Sequence, residues 1–137
     1  MDIKRITPQL LDAILELLCA QCSFDALNTI ETSAMCQEFD VSLEELRFVF
    51  GKLEYDGFIK DFNDRRTVFM FLLGKNVWDL LQKGGYTTQF AVAKQQLQLL
   101  EKEVAKLDKK TSLEHIERIT NIIQSIYSFF PKNLMEF

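Results

Sequence analysis

The sequence predicts a mainly α, α+β fold: a small helical domain carrying a two-stranded hairpin, followed by an antiparallel helical hairpin. Three observations predict it. Leu43, Leu46, Val49, Phe50 and Leu53 recur at helical spacing and stop at Asp56-Gly57. Two β-rich runs, Phe58-Ile59-Lys60-Asp61-Phe62 and Thr67 to Leu73, follow at once, with Asn63-Asp64-Arg65-Arg66 as the turn between them. The last third then holds two stretches whose apolar residues alternate at spacings of three and four.

Taken in order, Pro8 stands near the start of a first helix, where its missing N–H costs nothing. Leu10, Leu11, Ile14, Leu15, Leu17 and Leu18 give that helix its apolar face, with Asp12 and Glu16 outside it. Gln21 to Asn28 reads as a connection with Phe24 and Leu27 turned inward. A second helix begins at about Thr29 or Glu31 and ends at Phe39. Asp40-Val41-Ser42 turns into the third helix, for which Ser42 is a good N-cap and Glu44 and Glu45 suit the helix dipole. In the second hairpin strand Val68, Met70 and Leu72 face one way and Phe69, Phe71 and Leu73 the other. Both faces should therefore be covered, and the C-terminal appendage is the candidate cover.

Gly74 breaks the strand, and Val77 to Lys83 forms a short helix with Val77, Trp78 and Leu81 as its buried contacts. Gly84-Gly85 ends it, and Thr87-Thr88 should cap the next helix. There Phe90, Ala93, Leu97, Leu100, Val104 and Leu107 make one heptad seam, and Ile116, Ile119, Ile123, Ile126 and Phe130 make another. Asp108-Lys109-Lys110-Thr111 separates them, with Thr111 and Glu114 placed as a capping box, and Pro131 closes the second helix. The division is residues 1–74, a connecting helix at 75–86, and a helical hairpin at 87–137.

Twelve Phe residues and a hydrophobic fraction of 47 % leave ample material for a core in 137 residues. No apolar run reaches membrane-span length and the N-terminal residues do not read as a signal peptide, so a soluble cytoplasmic protein is expected. Cys19, Cys22 and Cys36 read as buried thiols rather than, with His115, a metal site. His115 itself, between Glu114 and Glu117, reads as solvated. No nucleophile with a placed base, phosphate-cradling loop or metal-spaced carboxylate pair appears, so neither an enzyme nor a cofactor is expected. Charge is uneven. Residues 1–58 carry four basic against eleven acidic side chains, a balance of −7, while residues 59–137 carry +3.

The order helix, helix, helix, strand, strand over residues 8–73, with Leu46 leading to Asp56-Gly57-Phe58-Ile59, resembles the winged helix-turn-helix superfamily. The order wing, short helix, Gly84-Gly85-Tyr86, long helix is similar to that of small bacterial and prophage-type winged-helix proteins. That resemblance implies a DNA-binding dimer, a transcriptional regulator, with the third helix in the major groove and the wing on the backbone. Arg47 and Lys52 would then meet the groove, and Lys60, Arg65 and Arg66 the phosphates.

The residues also support another reading. On the third helix the outward positions are Glu44, Glu45, Arg47, Phe48, Gly51, Lys52 and Tyr55, and adjacent carboxylates repel phosphate. Phe48, Gly51 and Tyr55 form an apolar stripe fit for a protein partner, so a protein–protein assembly module that does not bind DNA is the alternative. In either reading Leu97, Leu100, Val104, Ile119, Ile123 and Ile126 supply a homodimer interface, with packing of the hairpin on its own winged domain as the alternative.

Overall fold

The computed structural model describes residues 5–106 and 113–127, with the side chains of 125–127 excepted. Leu107, Asp108 to Thr111, Phe130 and Pro131, and the side chain of Ile126, all invoked above, lie outside the described residues. Among the described residues, six helices and a small antiparallel sheet follow in the order α1 (Pro8–Gln21), β1 (Leu27–Glu31), α2 (Thr32–Phe39), α3 (Leu43–Tyr55), β2 (Ile59–Asp64), β3 (Val68–Leu73), α4 (Asn76–Gln82), α5 (Gly85–Ala105) and α6 (Leu113–Tyr127). One compact unit ends at Thr87 and a second begins at Thr88, so α4 and the start of α5 belong with the first.

The first unit is built on α1, α3 and β3. Thr7 caps α1 by accepting a bond from the Leu10 N–H at 3.1 Å, and Pro8 occupies the first turn. Leu11, Ile14, Leu15 and Leu18 then fall on one buried face. Helix α3 opens with a reciprocal capping box: Ser42 Oγ accepts from the Glu45 N–H at 3.0 Å, and Glu45 Oε1 accepts from the Ser42 N–H at 2.9 Å. It buries Leu46, Val49, Phe50 and Leu53 and ends at Gly57, whose φ of +83° takes the chain out of the helix. Phe50 meets Phe62, Phe69 and Phe71 at ring-centroid distances of 5.6, 5.1 and 5.4 Å.

Several expectations need correction. The hairpin is part of a three-stranded sheet in the order β1-β3-β2, because Leu27 to Glu31 pairs antiparallel with Val68 to Leu72. Only Ile30 of β1 is buried, so the segment lacks the alternation that marks a strand; its partner far along the chain defines it. Leu27 is consequently 60 % exposed instead of inward, and α2 starts at Thr32. On α4, Val77 and Leu80 take the buried positions and Trp78, about 100° round the helix from Val77, is exposed. The start of α5 is capped by Asp12 of α1, not by Thr87-Thr88. Its carboxylate accepts from the Tyr86 N–H at 2.7 Å, the Thr87 N–H at 3.0 Å and the Thr87 hydroxyl at 2.6 Å. Gly85, at a φ of +67°, lets the chain pass so close that a Cβ would overlap that carboxylate.

A further correction concerns Glu45, which faces inward and is 2 % exposed. The Ser42 N–H holds its carboxyl below the ordinary carboxylate range against the opposing effect of burial, aided by Arg5, whose Nη1 lies 3.4 Å away. A depressed folded-state pKa contributes stability above the unfolded value of about 4.3, and that contribution is lost as pH falls through the folded value. Glu45→Gln keeps an oxygen for Ser42 but no charge. It should therefore lower the urea midpoint at pH 7, with a smaller gap to wild type at pH about 3. An equal gap at both pH values would assign the effect to shape, not charge.

Candidate functional site

The outward face of α3 and the adjoining β2–β3 hairpin are held in one frame. Thr32 at the start of α2 accepts no side-chain cap from Glu31; its own hydroxyl donates to the Arg66 carbonyl and its N–H to the Thr67 carbonyl at 3.0 Å. Arg66 sits at a φ of +65°, and its N–H donates to Asp64 Oδ1 at 2.9 Å. The hairpin turn is thus bonded on both sides. The register of β2 slips between Lys60 and Asn63, where Asp61 has a φ of +54°, so the strand bulges before the turn.

Within this frame the cations on α3 are engaged. The Arg47 guanidinium bonds Asp64 of β2. Partial burial pushes the Asp64 carboxyl up, but the Arg66 N–H and the Arg47 guanidinium together outweigh it and hold the group below the ordinary range. Lys52 Nζ lies 3.0 Å from Asp56 Oδ2 and 5.4 Å from the centroid of the Tyr86 ring. Tyr86 donates its hydroxyl to the same carboxylate, and burial, then Asp56, push its ionisation well above the usual phenol range. Lys52 therefore ties α3 to the start of α5.

Three cations remain on the hairpin. Lys60, Arg65 and Arg66 are exposed, and no side-chain ion pair among the described residues involves them.

Between these charges lies the apolar stripe. Phe48 and Tyr55 are 38 % and 39 % exposed. Gly51 between them is open, since a Cβ built on it meets no heavy atom within 4 Å. Glu44 is exposed at one end of the stripe. The surface is a shallow aromatic saddle with an acidic edge, and a flat apolar element can approach its backbone at the glycine.

The other sequence candidates are placed as follows. Leu97 and Val104 are exposed on α5, Leu100 is half-buried there, and Ile119 and Ile123 are half-buried on α6. His115 is not solvated. It is 9 % exposed, with Nε2 2.7 Å from the Glu103 carbonyl and Nδ1 3.1 Å from Glu103 Oε2, so it fastens the first turn of α6 to the last turn of α5. Neither the Glu103 partner nor the Asp12 and Tyr86 contacts had any local signal in the sequence.

Burial raises all three thiols above their ordinary range: Cys19, also by Glu16; Cys22, also by Cys19; Cys36, also by Glu45. All are free thiols. Among the described residues no group of three His, Cys, Asp or Glu side chains is placed to hold a metal ion, and no helix is long and apolar enough to cross a membrane. Compared with protein-family models, curated proteins and solved structures, the chain matches none of them.

Proposed function

We propose that this chain is a winged-helix protein-interaction module, a binding protein without enzymatic chemistry, which docks a partner polypeptide on the outward face of α3. Supporting the family reading is the run α2, short turn, α3, hairpin, with β3 between β1 and β2. The observation that carries the functional reading is the state of α3. Its two cations are committed to Asp64 and Asp56, and its apolar outward surface is made of Phe48, Gly51 and Tyr55. Desolvating Arg47 or Lys52 onto a phosphate would mean breaking these pairs, while aromatic side chains are favoured at the centre of protein interfaces. The acidic edge and the balance of −7 over residues 1–58 favour a partner segment that is apolar with basic flanks.

A second reading, a DNA-binding transcriptional regulator, draws on a specific observation too: Lys60, Arg65 and Arg66 stand exposed on the wing. One pair of experiments separates the two. A photo-cross-linking residue at position 48, placed in the cell that makes this protein, should yield a discrete protein adduct that Gly51→Arg abolishes. Fluorescence anisotropy with random duplex DNA at about 50 and 200 mM salt should show no salt-sensitive binding. Micromolar binding that weakens with salt and is lost in an Arg65→Ala, Arg66→Ala variant, without an adduct at position 48, would overturn the docking reading in favour of the regulator.

A further inference from the structure

Helix α5 sets a large apolar residue at every seventh position from Phe90 to Val104. Phe90, Leu97 and Val104 are exposed to 49 %, 46 % and 48 %. Residues seven apart drift only about 20° round an α-helix, so the three form one stripe, roughly 21 Å long at 1.5 Å per residue. The neighbouring seam positions are different: Ala93 is buried and Leu100 half-buried. One seam row of α5 is therefore covered within the chain and the other is open. The open row is bordered, about 40° round the helix, by Lys94 and Glu101, and beyond them by Ala91, Gln98 and Ala105, all of them exposed.

We propose that a second copy of this chain packs on the open row, with the two α5 helices antiparallel. The argument is self-complementarity in both charge and size about a single point, midway between Leu97 and Gln98. A two-fold axis there brings Lys94 level with Glu101 of the second copy, and Glu101 level with its Lys94. The same operation sets Phe90 level with its Ala105, Val104 level with its Ala91 and Leu97 level with its Gln98, so the two outer large side chains meet small ones. Parallel pairing in register would instead set lysine against lysine and glutamate against glutamate, which disfavours it. A closed two-fold pair also uses up the row, whereas a partner of another kind would need its own matching pattern. The interface lies on α5 alone and is independent of the α3 docking face.

Sedimentation of the full chain from about 1 to 200 µM tests the proposal. A monomer–dimer equilibrium is expected, and Leu97→Glu should leave a monomer throughout, with an unchanged far-ultraviolet spectrum. Because each copy supplies both charges, Lys94→Glu alone turns two attractive pairs into two repulsive ones and should weaken association about tenfold. Glu101→Lys should do the same. The double variant carrying both changes should return to within about threefold of wild type, a rescue that a merely damaged helix would not show. A monomer at every concentration, a dimer indifferent to Leu97→Glu, or a double variant no better than either single change would overturn the antiparallel pair.

Discussion

Phe50→Ala should remove about 4 kcal/mol of folding stability, within the range of 3–5 found for buried Phe truncations. Phe50 is fully buried, and its ring meets those of Phe62, Phe69 and Phe71, so it joins α3 to both strands of the hairpin. Truncation leaves a cavity bounded by stiff rings that cannot close in, and it also forfeits the edge-to-face contacts. A domain of this size has a total stability of roughly 5–15 kcal/mol, so the variant should keep only a reduced margin and unfold at a much lower urea concentration than wild type. Urea titration at 25 °C measures the effect, with Phe50→Leu losing less than half as much. A loss below about 1 kcal/mol for the alanine would mean that the ring cluster is not the centre of the core.

Asp12→Ala should cost about 2–3 kcal/mol, although Asp12 lies outside the apolar face of α1. Its carboxylate accepts three bonds from Tyr86 and Thr87, two of them from N–H groups at the start of α5 that have no partner within their own helix. Alanine leaves those donors part-buried and unsatisfied, and it removes a negative charge from the positive end of the helix dipole. Asp12→Asn keeps one acceptor oxygen and should recover about half of the loss. Chemical denaturation of the three proteins gives the comparison; an Asp12→Ala protein as stable as wild type would show that water replaces the carboxylate fully.

Both predictions concern groups that a sequence displays unequally. The periodicity of Leu46, Val49, Phe50 and Leu53 and the Ser42 cap belong to consecutive residues, and local chemistry suffices to read α3 from Leu43 to Tyr55. The same phase leaves Phe48, Gly51 and Tyr55 outside, which is where they lie. Glu45 was misread because an acidic residue in a first turn suits the dipole from either side of the helix, and only the reciprocal bond with Ser42 turns it inward.

What stayed illegible depends on distant partners. Strand β1 exists because β3 lies beside it, and the cap of α5 comes from α1. Lys52 looks like a surface cation until Asp56 and Tyr86 close round it, and His115 looks solvated until Glu103 does the same. Trp78 shows the converse case: a large aromatic in a short helix invites burial, yet α4 turns Val77 and Leu80, with Leu81 partly buried beside them, to the core and leaves Trp78 outside.

The glycine at the middle of α3 has one more consequence. An interior helical glycine is about 1 kcal/mol less favourable than alanine, and around Gly51 no neighbouring atom stands in the way of a side chain. Proline aside, the position therefore has room for a Cβ without repacking. Position 51 is a dial for selectivity whose effect on stability comes from helix propensity, not from packing: side chains of graded bulk there would tune what the saddle admits while the core beneath it stays as it is.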